Sequence, residues 1–182
     1  IALITLLVLF IAGLGEGLGS GNREYISKLD AELLVFLEKS DYIFAASRLD
    51  RSLLAQIRRV EGVAAAGPVS PSTTAILLPD GEVLKVAMLG VEPGQPGEPK
   101  IVEGRQLSTD LAREILIDRN VVLRSNLKVG DQVTIRSTQG TRDEFYTLQI
   151  VGVTDGQSYS LIPSIIAPYF TWDRVRPKSE AE

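Results

Sequence analysis

The chain opens on its least polar stretch. From Ile1 to Leu14 the only polar side chain among fourteen residues is Thr5, so a helix made of this run would be apolar on every side. Such a helix would reach roughly 21 Å, short of the roughly 30 Å hydrocarbon core of a bilayer. Four readings compete: the end of a transmembrane helix whose start lies outside the chain, the apolar region of a signal peptide, a buried core helix, or a buried parallel strand. No basic segment precedes the run and no small-x-small cleavage site follows it at the expected distance. A core helix would be apolar on one face only, and a strand would be shorter. The truncated membrane helix is therefore the expectation, in keeping with a chain that lacks an initial methionine. Its membrane-embedded residues would be Ile1, Leu3, Ile4, Leu6, Leu7, Val8, Leu9, Phe10, Ile11 and Leu14.

Glycine then falls at every second position from Gly13 to Gly21. Leu18, Ser20 and Asn22 break the G-x-G-x-x-G spacing of a dinucleotide loop, so no phosphate chemistry is implied. Gly13 with Gly17, and Gly15 with Gly19, satisfy G-x-x-x-G, which permits close approach of a second helix. A flexible exit from the membrane explains the same glycines equally well.

Beyond them, Tyr25, Ile26, Leu29 and Leu33 recur at roughly helical spacing, before a strand expected around Leu33–Leu37 or Tyr42–Ala46. The clearest helical pattern comes next. Asp50 can cap it, Leu53, Leu54, Ile57 and Val60 share one face, and Gly62 stands where a left-handed C-terminal residue is wanted. Arg58 and Arg59 fall in its last turn, where the helix dipole favours cations; a solvated face explains them better than an anion site. Val63–Ala66 reads as a short strand. Thr73–Leu78 and Glu82–Leu89 read as a hairpin about Asp80-Gly81.

Between Pro93 and Pro99 three prolines and two glycines in seven residues rule out helix and central strand, and mark a subdomain boundary. Ile115–Asp118 is strand-like, and Asn120–Leu127 allows one or two helical turns. Val129-Gly130-Asp131 then turns into a strand through Arg136, with Gln139-Gly140 in the loop and Phe145–Val153 returning. Tyr146, Leu148 and Ile150 alternate with Thr147 and Gln149, as one buried face demands. In the tail, Tyr169, Phe170 and Trp172 beside Ile165 and Ile166 form an exposed patch, a membrane-interface belt or, as the simplest reading, part of the core.

Composition narrows the chemistry. Hydrophobic residues make up 45% and charged residues 23%, as in an ordinary folded domain, and the net charge is -4 with no basic stripe to track phosphates. Nucleic acid is not expected as a partner. The chain has no cysteine and no histidine, which removes disulfides, the usual zinc sites and both Ser-His and Cys-His pairs. Asp80, Asp131 and Asp155 each adjoin glycine, as turn residues do, and none has calcium-loop spacing. Ser27-Lys28 and the Ser70–Thr74 cluster offer hydroxyls but no base; those next to Pro68 and Pro71 read as loop. No catalytic, cofactor-binding or metal-binding residue is assigned, and an enzyme is not expected.

Several stretches, in order, carry a family resemblance: "LLAQIRRVEGVAAAGPV", "VAMLGVEP", "IVEGRQLS", "LKVGDQVTI" and "YTLQIVGV". With the leading apolar run, they resemble the extracytoplasmic core domain of ABC transporter permeases of the MacB/FtsX-like superfamily, which includes macrolide exporters and lipoprotein-release permeases. The matching positions are Gly62-Val63, Gly90-Val91-Glu92-Pro93, Glu103-Gly104-Arg105, Val129-Gly130-Asp131 and Val151-Gly152-Val153. The resemblance implies a cell-membrane permease with four membrane helices, working as a dimer with a separate cytoplasmic ATPase. This domain would follow the first helix on the extracytoplasmic side, with no residue touching ATP. The family's domain usually returns through a further strand–helix–strand leg, which is expected to be absent or rearranged here.

The expected fold is α+β: a small βαβ-plus-hairpin layer followed by a β-rich subdomain, preceded by the end of a transmembrane helix. Residues 1–20 would be the membrane helix and its exit, 21–95 an α+β porter-like subdomain, 96–160 the β-rich subdomain, and 161–182 a truncated return segment. The rival function is a singly anchored extracytoplasmic binding module with no ATPase partner. A third reading, an intracellular enzyme domain with the apolar run buried, would need residues 1–14 for its fold.

Overall fold

The computed structural model describes residues 3–11, 13, 28–29, 31–40, 46–156, 158–159 and 162–178. Residues 3–11 are helical (α1) with every side chain exposed. Among the described residues no helix is long and apolar enough to cross a membrane. Ile1, Leu14 and the glycines from Gly15 to Gly21 lie outside the described residues, as does Ser27.

Seven strands form one sheet: β1 (Val69–Leu77), β2 (Val83–Val91), β3 (Ile101–Gly104), β4 (Glu114–Asp118), β5 (Gln132–Gln139), β6 (Arg142–Thr154) and β7 (Ser164–Pro168). Helices α2 (Ser52–Ile57), α3 (Arg119–Ser125) and α4 (Tyr169–Val175) accompany the sheet, with a 3₁₀ turn at Glu38–Ser40. The α+β class is as expected, and strands from both sides of the Pro93–Pro99 stretch enter the same sheet. Their order is β3-β6-β4-β7-β2-β1-β5, and β5 pairs in turn with β6. The sheet therefore closes on itself as a ring of six strands, with β3 added beside the C-terminal half of β6. Closure leaves few free edges.

β6 makes closure possible by its length. Its N-terminal half pairs antiparallel with β5, from Gln139↔Arg142 to Gln132↔Gln149. Its C-terminal half pairs parallel with β4 and antiparallel with β3. Between Ile115↔Ile150 and Leu116↔Gly152 the register slips, so Val151 is an extra, bulged residue. The slip puts Val151 against the outer cluster and Val153 back in the inner one.

Alternation sorts the remaining strands the same way. Val86, Met88, Ile115, Ile117, Leu148, Ile150 and Ile165 face the ring interior. Leu89, Val91, Leu116 and Ile166 face outward, where Leu107 and Leu29 cover them. α3 is capped by Asp118, whose carboxylate accepts from the Asn120 and Ser164 amides, and it ends on left-handed Asn126 (φ 57). Burial outweighs these donors and pushes the Asp118 carboxyl above its usual range.

Three local expectations are corrected. Val63–Ala66 is not a strand: β1 begins after Gly67-Pro68, at Val69. Of the two places expected for an earlier strand, residues 33–37 are neither strand nor helix, and residues 42–45 lie outside the described residues. The Ser70–Thr74 hydroxyls lie in β1 and not in a loop. Pro71 is accommodated there because that half of β1 pairs with β2 alone, β5 joining only at Ala75–Leu77.

Candidate functional site

Three of the five family motifs meet on β6. Gly104 lies directly opposite Gly152, and the Arg105 amide donates to the Val151 carbonyl at 2.9 Å. A Cβ on Gly104 (φ +84) would stand 2.3 Å from the Val151 oxygen, and one on Gly152 would stand 2.7 Å from the Arg105 oxygen. Only two glycines permit so close a backbone approach. Glu103-Gly104-Arg105 and Val151-Gly152-Val153 are thus halves of one joint. The Val129-Gly130-Asp131 turn docks on the same strand: Gly130 N–H donates to Ile150 O (2.8 Å) and Ile150 N–H to Asp131 O (2.9 Å).

Arg105 also reaches across to the start of β4, donating to both carboxylate oxygens of Glu114, which accepts from Ser108 as well. The guanidinium holds the Glu114 carboxyl below the usual glutamate range.

A second constellation surrounds the Gly90-Val91-Glu92-Pro93 motif, where the ring meets α2 and α4. A Cβ on Gly90 would come within 2.6 Å of the Trp172 ring. The indole occupies that space, and its N–H donates to Ser72 Oγ at 2.9 Å. Glu92 accepts from Arg58 (2.9 Å), and Arg58 also donates to the Ala66 carbonyl at 2.9 and 2.7 Å. Arg51, just before α2, stands over the rings of both Tyr169 and Phe170, 4.3 Å from each centroid. Asp110 faces this group with its Oδ1 buried and, among the described residues, unpartnered. Burial and the Glu92 charge push its carboxyl up, while Arg51 and Arg58 pull the other way.

Gly62-Val63 lies beside the second constellation. Gly62 has the expected left-handed backbone (φ +89) and lines, with Val63, a cleft of about 1320 Å³ between α2, the first half of β1 and α4. The cleft walls are mostly apolar side chains, hydroxyls of β1 and the Tyr169–Trp172 face. Among the described residues no group of acidic side chains is arranged to hold a metal. Lys28 Nζ donates to the Asp155 and Gly156 carbonyls. Among the described residues the arrangement is a set of close backbone contacts and a recess.

The sequence reading named Arg58, Glu92, Tyr169 and Phe170 separately and did not join them, and it missed Arg51 and Asp110. Their meeting depends on pairings between distant parts of the chain, which no local pattern carries.

The chain matches the MacB-like periplasmic core domain family over residues 1–180. It belongs to that family. No curated protein matches it. Among solved structures it is similar to the extracellular domain of the noncanonic ABC-type transporter YknZ from Gram-positive bacteria, at 12% identity and a TM-score of 0.51, covering 69% of this chain and 65% of that one. It is also similar to the periplasmic region of MacB from Actinobacillus actinomycetemcomitans, at 16% identity and a TM-score of 0.51, covering 69% of this chain and 57% of that one. The chain thus spans less than two thirds of the length of either structure, and these likenesses establish the fold.

Proposed function

We propose that this chain is the extracytoplasmic domain of an ABC transporter permease subunit. Residues 1–20 are the end of the first membrane helix and its exit. A separate cytoplasmic ATPase drives a permease dimer, and the motion of its membrane helices passes outward to the ring, which acts on a substrate or partner beyond the membrane. The observation that carries this reading is the family match over residues 1–180, which takes in the apolar helix and the closed sheet together. Two structures of similar fold are the outer regions of transporters, which supports placing this domain outside.

The chain has no cysteine, so a single engineered one reports its side of the membrane. Leu123, on α3, is 74% exposed. In the full-length parent protein, freed of any other cysteine, Leu123→Cys is expected to react with a membrane-impermeant maleimide in intact cells, and the protein to co-purify with an ATPase subunit. Labelling only after lysis would overturn the outward placement. Labelling without a co-purifying ATPase would leave a singly anchored binding module.

A further inference from the structure

Among the described residues the wall of the ring is open beside the first half of β6. β4 accompanies β6 only from Gln149 onward, where the Gln149 amide faces the β4 side and donates to Arg113 O at 2.9 Å. Strand alternation turns the Thr147 and Phe145 backbone groups toward the same side. Among the described residues nothing pairs with them there. The place where β4 would have continued is instead a groove of about 520 Å³, floored by Leu148 and Val175. Three large apolar side chains stand exposed along it: Leu111 (72%), Phe145 (59%) and Phe170 (40%). Two exposed cations, Arg113 and Arg174, flank it, and neither has an ion pair among the described residues. Of the two carboxylates on this part of β6, Glu144 accepts the Tyr146 hydroxyl and Asp143 that of Thr138.

Native sheets usually shield an open edge with charge on the strand itself or with a covering element. Here the open edge carries a charge only at its far end, Asp143, which accepts the Thr138 hydroxyl; Phe145 and Thr147 follow, with exposed apolar side chains and two cations along the groove. We propose that this edge of β6 takes an extended peptide of a partner protein, in which apolar residues alternate with carboxylates. The peptide would lie in line with β4. Its backbone would pair with Phe145 and Thr147, its apolar side chains would seat against Phe145, Leu111 and Phe170, and its carboxylates would meet Arg113 and Arg174. This names a partner class for the outward-facing surface and rests on that placement for its cellular meaning. Peptide binding by the purified chain is read independently of topology, so the two ideas fail separately.

The test uses the whole chain with two capped peptides, one alternating valine with glutamate and the other valine with lysine. The glutamate peptide should bind about tenfold more tightly, the effect of two exposed charge pairs. The Phe145 and Thr147 amides should shift in NMR spectra and exchange more slowly. Thr147→Pro removes an amide that faces away from β5, so it should abolish binding and leave the melting curve in place. Arg113→Glu with Arg174→Glu should reverse the preference, and tests the idea even if the proline variant does not fold. Equal affinity for both peptides, or amide changes elsewhere on the ring, would sink the proposal. So would self-association blocked by Thr147→Pro, which would assign the edge to a second copy of the chain.

Discussion

Helices α2 and α4 are six and seven residues long, and they are held in opposite ways. α2 has no buried residue; polar side chains around it, Arg58 on Glu92 and Arg51 on two aromatic rings, tie it to the ring. α4 buries Thr171, Trp172 and Val175 against the sheet, with the indole filling the space that Gly90 leaves empty. Yet α2 is the helix the sequence announces most clearly, and at α4 the sequence suggested no helix. Periodicity reports which residues share a face, not whether that face finds anything to pack against. Polar contacts of this kind exchange with water, so α2 is expected to open ahead of the ring.

The sharpest way to break the comparison is Gly90→Val. Its added atoms collide with Trp172, and the loss should be about 3 kcal/mol in urea unfolding. A loss below about 1 kcal/mol would mean that the indole can move aside, and that α4 is no better seated than α2. Trp172→Phe keeps a ring but abandons the hydrogen bond to Ser72, and about 1 kcal/mol is expected on the same measurement. Glu92→Gln should cost the whole fold about 0.5 kcal/mol, because Arg58 is a third exposed and screened by water. Its effect belongs in hydrogen exchange, where residues 53–60 should open faster while residues 169–175 do not change. Equal acceleration of both segments would mean that α2 and the ring form one cooperative unit.

A further prediction concerns acid. Arg105 holds Glu114 below its usual range, so the unfolded chain takes up a proton there before the folded one does. The resulting stability is present above the ordinary glutamate range and is lost as pH falls through it toward the folded value. Glu114→Gln should flatten this part of the profile. Asp118 has the opposite sign: its carboxyl is raised in the folded state, so lowering the pH through its folded value adds stability. Denaturant midpoints of Glu114→Gln and Asp118→Asn across acid pH should therefore change slope in opposite directions.

The sequence made local features legible. The hairpin at Asp80-Gly81 forms as expected, with Gly81 at φ +87 and the Asp80 carboxylate accepting from Glu82 N–H. β4, α3 and the long β5–β6 hairpin also lie close to where composition and alternation placed them. β3 and the closure of the ring were not legible. Closure rests on β2 with β7 and β4 with β6, parallel pairs between segments far apart in the chain. β7 is buried along its whole length, so no polar alternation marks it. Val63–Ala66 misleads for the opposite reason: its residues are small and apolar, yet no strand lies beside them. The family motifs were visible as glycines at turns, but the pairing of Gly104 with Gly152 across the sheet was not.

The late position of β7 has a consequence for how the chain is made. β2 and β4 flank it, so neither can complete its ladder until residues 164–168 have emerged. A nascent chain that has reached only residue 150 would carry several unsatisfied strand edges at once, the condition under which partly folded proteins associate wrongly. Assembly dominated by such distant pairings is slow. The ring is therefore expected to mature as a single late event after its last strand arrives, and a holding chaperone would have most to offer in the interval before it.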